Sequence, residues 1–215
     1  MQTNISKLNN TVIVYIASFD SGVAVGAVEP SIRNEMIQRC TDTLTQQQRY
    51  CVWKLLDYAL LECYGKGVKD FNFYIDDNGK WNCRNGVHFS LTHCNNVVAV
   101  ALCNHFVGVD VESVANFERH VASTEFAERI LTDNEKELLQ NTSAVHKTEM
   151  LAQLWTKKES FFKLSSRKEF APKSIDTTKL AIHSQSLTIN GEQYALAVAR
   201  YIPSKIELRF KQIQW

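Results

Sequence analysis

At 215 residues, with 45% hydrophobic and 22% charged residues, the chain has the composition of a folded globular protein of one large domain or two small ones. Its 24 Lys and Arg against 23 Asp and Glu leave a formal charge of +1, so no global field draws it to nucleic acid or to an anionic membrane, and neither partner is expected. The six cysteines, at 40, 51, 63, 83, 94 and 103, form neither a C-x-x-C pair nor a zinc-ligand spacing. Cys51, Cys63, Cys94 and Cys103 lie in or beside apolar runs, as free thiols do in a reducing compartment, so a cytoplasmic protein is expected.

One lysine, Lys7, precedes the run 12–17, which is too short and too β-branched for a secretory signal and predicts a first strand. The longest apolar run, Val97–Cys103, is far below the roughly 18 residues of a membrane span. From Val52, the apolar positions Val52, Leu55, Leu56, Ala59, Leu60 and Cys63 predict an amphipathic helix that Gly65 and Gly67 end. Residues 71–75 alternate and are aromatic, predicting a strand, and 76–80 favour a turn. Extended segments follow at 87–91, 97–103 and 106–111. The breaks between them, Asn95-Asn96 and Asn104-His105, are too short for helical crossovers, so the three are predicted to be antiparallel neighbours.

The second half opens with a helix over 124–131, and Thr132-Asp133-Asn134-Glu135 fits a capping box. A longer helix is predicted from Lys147, with Leu151, Leu154, Trp155, Lys158 and Phe162 on one face and Phe161 and Leu164 widening it. Short strands are predicted at 180–183, 187–189, 194–199 and 206–210, with Asn190-Gly191 as a hairpin turn. Both halves thus run strand, helix, then several strands. This predicts two closely packed α+β units of about 100 residues, 1–104 and 105–215, divided near Asn104-His105.

In Gly108-Val109-Asp110-Val111-Glu112, a strand's period of two puts both carboxylates on one face, with roughly 6.5 Å between their Cα atoms. Two like charges side by side in a partly dry site are costly unless a cation joins them. A second cluster, Trp155-Thr156-Lys157-Lys158-Glu159-Ser160-Phe161-Phe162-Lys163, sets Glu159 and Lys163 one helical turn apart among bulky aromatics that leave little solvated face. Three carboxylates with nearby lysines suit Mg²⁺ bound together with a phosphorylated ligand.

The pair G-V-D-V-E and W-T-K-K-E-S-F-F-K, with Glu112 and Glu159 47 residues apart, resembles the 4'-phosphopantetheinyl transferases (holo-[acyl-carrier-protein] synthase superfamily), specifically the longer Sfp-type class. Phe89-Ser90-Leu91-Thr92-His93-Cys94 resembles a further element of that family, with Thr92 and Cys94 where serines are usual. The likeness runs from about Leu44 to Lys163. It implies an α+β, pseudo-twofold monomer of two similar halves, with coenzyme A between them and the metal site in the second. It also implies Mg²⁺-dependent transfer of 4'-phosphopantetheine from coenzyme A to a serine of an apo acyl, peptidyl or aryl carrier protein, with release of adenosine 3',5'-bisphosphate.

By motif match, Asp110, Glu112 and Glu159 would ligand the metal, and Glu159 and Lys163 would be catalytic. Arg49, Gly79, Lys80, Thr92, His93, Asp110, Lys158 and Lys163 would contact coenzyme A, although Trp81 follows Gly79-Lys80 where the family has proline. Arg119, Arg129 and residues 165–168 are candidates for a basic carrier-docking surface. Two other readings use the same residues: a Mg²⁺-dependent phosphohydrolase, and a non-catalytic carrier-protein binder.

Overall fold

The computed structural model describes Leu8 and residues 10–215; Lys7 lies outside them. In chain order the elements begin with β1 (Thr11–Ser18), α1 (Ser31–Gln38), α2 (Thr43–Tyr64), β2 (Phe73–Ile75), β3 (Trp81–Cys83), β4 (His88–Cys94) and β5 (Val97–Cys103). There follow β6 (Val107–Ser113), α3 (Thr124–Ile130), α4 (Asp133–Asn141) and α5 (Lys147–Ser165), then β7 (His183–Ile189), β8 (Glu192–Arg200) and β9 (Lys205–Lys211). They fall into two compact α+β units: the described residues up to Val107 together with Tyr201–Trp215, and Gly108–Arg200.

The first unit is a four-stranded sheet, β4-β5-β1-β9, packed against α2. All seven residues of β5 are buried, as befits a continuous apolar run with a strand on either side. α2 keeps the predicted apolar register, burying Cys51, Val52, Leu55, Leu56, Ala59, Leu60 and Cys63, and ends at Gly65 with φ 67°. It starts nine residues earlier than the apolar pattern does. Asp42 caps it by accepting from the Thr45 amide at 2.7 Å, and the buried Gln47 and Gln48 donate to the carbonyls of Ser21, Val23 and Asn95. The turn between β2 and β3 is fastened by Asp76, which accepts from the amides of Asn78 and Lys80. The free cysteines Cys51, Cys63, Cys94 and Cys103 are buried as small hydrophobes.

Three departures from the sequence-based expectations have non-local causes. β4 and β5 are antiparallel neighbours, but β6 is not the third strand of that sheet, because β1 takes the place beside β5, pairing Ile13 with Leu102 through Ser18 with Val97. The second unit is not the continuous stretch 105–215, because β9 returns to pair parallel with β1 in the first unit. Residues 180–182 are not a strand; a 3₁₀ turn at Thr177–Lys179 precedes them, and β7 starts at His183.

The second unit is a three-stranded sheet, β6-β8-β7, with α5 lying along β8. The β7–β8 hairpin turns at Asn190 and Gly191, both at positive φ as the dipeptide predicts. The predicted capping box starts α4: Thr132 and Glu135 each accept from the other's backbone amide. α5 buries Leu151, Leu154, Lys158 and Leu164, while Trp155 and Phe162 are half-buried against Phe170.

β6 and α5 meet in close backbone contact at Gly108. A Cβ on Gly108 would stand 1.9 Å from the Ser160 carbonyl oxygen and 2.7 Å from the Leu164 amide nitrogen, both backbone atoms that cannot swing aside. Among the described residues no helix is long and apolar enough to cross a membrane. Gly108→Ala must push β6 and α5 apart and is expected to destabilise the second unit by about 3 kcal/mol. Denaturant unfolding checks this, and a loss under 1 kcal/mol would contradict so close a backbone contact.

Candidate functional site

The alternation of β6 comes out as the sequence predicts, but neither face is solvated at Asp110. Val109 and Val111 are fully buried, Asp110 on the other side is 3% exposed, and Glu112 is half-buried. A carboxylate this deep needs a partner. Lys163, on the last full turn of α5, donates from Nζ to Asp110 Oδ1 at 2.7 Å. The Lys163 side chain keeps about a quarter of its surface exposed (27%).

Glu159 lies one turn before Lys163. Burial pushes its carboxyl up to about 7, the negative charges of Asp110 and Glu112 push the same way, and the Lys163 ammonium opposes them. This mutual influence places Asp110, Glu112, Glu159 and Lys163 in one electrostatic cluster within the second unit. It is also what Gly108 permits, since the chain carrying both β6 carboxylates runs in backbone contact with Ser160 and Leu164.

Lys158 does not join them. It is fully buried, forms an ion pair with Glu135 at 2.6 Å, and donates to the carbonyls of Pro172, at 2.9 Å, and Ile175. Three acceptors exhaust the three protons of an ammonium, so the phosphate contact expected of Lys158 is corrected here: the side chain faces inward. Burial pulls its pKa down while the Glu135 carboxylate holds it up. Glu135, equally buried, also accepts from the amide and hydroxyl of Thr177 and from the Thr132 amide. The capping-box pattern identified Glu135 as a cap, and no local signal marked it as the partner of Lys158.

The other expected coenzyme A residues lie in the first unit. Arg49, on α2, donates to Cys40 Sγ at 3.0 Å, and its carbonyl accepts from Arg33 at 2.8 Å. Gly79 adopts φ 78° in the turn before β3, and Lys80 lines a small pocket with Tyr74, Trp81, His88 and Phe106. Burial lowers the pKa of Lys80, and Asp76 opposes that shift. Thr92 and His93 lie inside β4, which runs on to Cys94 beyond its predicted end. Thr92 is buried opposite Ala99, and His93 is half-buried opposite Val98.

Among the described residues no group of three or more His, Cys, Asp or Glu side chains is arranged to hold a metal ion; Lys163 neutralises Asp110 instead. The chemistry of the cluster nevertheless fits a hard divalent cation. The carboxylates offer oxygen donors only, and their repulsion, visible in the raised pKa of Glu159, is what such an ion would relieve.

The profile of the 4'-phosphopantetheinyl transferase superfamily matches residues 106–203, which contain all four members of the cluster. A 4'-phosphopantetheinyl transferase gsp of Aneurinibacillus migulanus is 28% identical over 109 residues, covering 51% of this chain. The chain spans only 38% of the length of that curated relative. A holo-(acyl-carrier-protein) synthase from Bacillus anthracis str. Ames, solved in complex with CoA (3',5'-ADP), is 23% identical and covers 43% of this chain and 92% of its own, with a TM-score of 0.33. The β6 and α5 motifs lie inside the matched segment, so it is residues 106–203 that are similar to the 4'-phosphopantetheinyl transferase superfamily.

Proposed function

We propose that the protein transfers the 4'-phosphopantetheine group of coenzyme A to a serine of an apo carrier protein, with Mg²⁺ held by Asp110, Glu112 and Glu159. The observation that carries this reading is the cluster itself. Burial, with the negative charges of Asp110 and Glu112 added to it, raises Glu159 to about 7, beside one partly exposed lysine, within the segment that matches the superfamily. The bound ion would neutralise pyrophosphate charge.

The chain's own groups do the rest. Glu159, whose carboxylate interacts with Asp110 and Lys163 in the cluster, would accept the serine proton as the hydroxyl oxygen attacks the β-phosphorus of coenzyme A. Lys163, whose side chain is partly exposed, stabilises or protonates the phosphate oxygen of the departing adenosine 3',5'-bisphosphate. On the same reading Arg49, Gly79, Lys80, Thr92 and His93 contact coenzyme A, and the protein is of the longer, Sfp-type class. A phosphohydrolase using the same carboxylates would release free phosphate without an acceptor.

Intact-mass spectrometry of an apo acyl and an apo peptidyl carrier protein, each incubated with the protein, coenzyme A and Mg²⁺, tests the reaction. One phosphopantetheine of added mass is expected, lost with EDTA or when the acceptor serine is replaced. Free phosphate released without any carrier would overturn the reading in favour of the hydrolase. Asp110→Asn and Glu159→Gln are each expected to slow transfer by a factor on the order of a hundred or more. Rates within twofold of the parent in either variant would remove that residue from the site.

The raised pKa of Glu159 also fixes the sign of a stability effect. Its carboxyl holds a proton up to about 7 in the folded chain, and only to about 4.3 in the unfolded one. The folded state therefore binds more protons between those values, and stability falls as pH rises through that window. Without metal, and discounting for partial exposure, the parent is expected to lose on the order of 2 kcal/mol relative to Glu159→Gln between about pH 4.5 and 7.5. Parallel stability curves for the two proteins would contradict the crowding.

A further inference from the structure

The buried pair Lys158–Glu135 is the one ion pair among the described residues in which both side chains are fully enclosed, and the transfer chemistry proposed above does not use it. It binds three segments of the second unit at one point. Lys158 belongs to α5; Glu135 belongs to the first turn of α4; and the carbonyls of Pro172 and Ile175, with Thr177, belong to the stretch that follows α5. The same stretch is tied to α5 again by Phe170, whose ring packs on Trp155 at 5.4 Å and on Phe162 at 5.1 Å between centroids.

A helix held through a side chain with three fixed acceptors cannot rotate about its axis without breaking them, and the next residue along is Glu159. Ser160 and Leu164, two and six residues beyond Lys158, are where α5 touches Gly108, so a small rotation there would move Glu159 relative to Asp110.

We propose that Lys158 and Glu135 are positioning residues. Their ion pair fixes the rotation of α5, and with it Glu159 and Lys163, and Lys158 gives no charge to the substrate phosphates. The inference rests on the transferase reading and reassigns one lysine of its motif. Its distinguishing consequence is that the charge of Lys158 is dispensable once its buried partner is neutralised too, because what costs most is a lone charge left in the interior. A phosphate ligand would behave in the opposite way: its charge would matter whatever Glu135 became.

The test compares Lys158→Met, Lys158→Arg, Glu135→Gln and the double variant Glu135→Gln/Lys158→Met. Transfer to an apo carrier is measured, coenzyme A binding is measured separately by calorimetry, and each rate is scaled to the folded fraction from thermal melts. Lys158→Met is expected to lower kcat about a hundredfold, the scale of a misplacement near 1 Å, with KM and Kd for coenzyme A within about twofold of the parent. The double variant is expected to regain at least about tenfold in kcat over Lys158→Met, whereas Lys158→Arg, although charged, is expected to regain nothing, since a guanidinium does not fit three acceptors set for an ammonium.

Recovery in Lys158→Arg without recovery in the double variant, or a coenzyme A Kd weakened tenfold or more by Lys158→Met, would overturn the proposal. If Lys158→Met does not fold, Glu135→Gln decides alone: kcat lowered at unchanged KM supports positioning, and unchanged kcat overturns it. Should the parent modify no carrier, the transferase reading fails by itself. The pair is then judged by amide hydrogen exchange, expected to quicken together over residues 158–164 and 172–177 in Lys158→Met and to slow again in the double variant. Quickening confined to 172–177 would overturn the coupling to Glu159.

Discussion

The backbone approach of β6 to α5 at Gly108 is the contact on which the rest of the site depends. With hydrogen as the side chain, the strand lies against the Ser160 carbonyl and the Leu164 amide, and the helix brings Glu159 and Lys163 alongside Asp110 and Glu112. The resulting crowding is unfavourable in itself: burial and two neighbouring negative charges hold Glu159 partly protonated near neutral pH, and Lys163 offsets only part of that. A fold that spends packing precision on bringing like charges together stores an affinity for positive charge, and on the proposed function a cation accompanied by a pyrophosphate would satisfy both the carboxylates and the lysine.

Of the three lysines in the α5 motif, Lys158 and Lys163 stand five residues apart, and burial gives them opposite employments. Lys163 pairs with Asp110 and keeps its side chain partly exposed. Lys158 points into the unit, where every proton is taken by Glu135 or a backbone carbonyl. The difference is one of environment, because the two side chains are chemically identical. A motif names residue types and spacings; the surrounding packing decides whether a given side chain faces substrate or core.

That division was half legible in the sequence. Helical periodicity set Lys158 on the apolar face with Leu151 and Leu154, which is where it lies, while the motif resemblance assigned it to the phosphates. The spacing was the better guide, since it follows from helix geometry alone. Other local signals were equally readable: the Thr132–Glu135 capping box, the Asn190-Gly191 turn, the stop at Gly65 and the alternation of β6 each depend on a few adjacent residues. What could not be read was which strand lies beside which. β1 enters between β5 and β9, displacing β6 to another sheet, and β9 crosses back to the first unit. Such choices are settled by contacts from 79 to 194 residues apart in the chain, and no short-range pattern encodes them. Glu135 escaped for the same reason: its capping role is local, and its ion pair is not.

The central claim is that the β6 and α5 carboxylates act as one set whose repulsion a cation relieves. It is tested most directly by titrating the Glu159 side-chain carboxyl by ¹³C NMR, with Glu159→Gln as the assignment control, first in metal-free protein and then with coenzyme A and Mg²⁺. The account predicts a midpoint near 7 in the metal-free protein, and a fall of more than about one unit when both ligands are present. A metal-free midpoint near the ordinary value of about 4.3, or a midpoint unmoved by saturating coenzyme A and Mg²⁺, would contradict it.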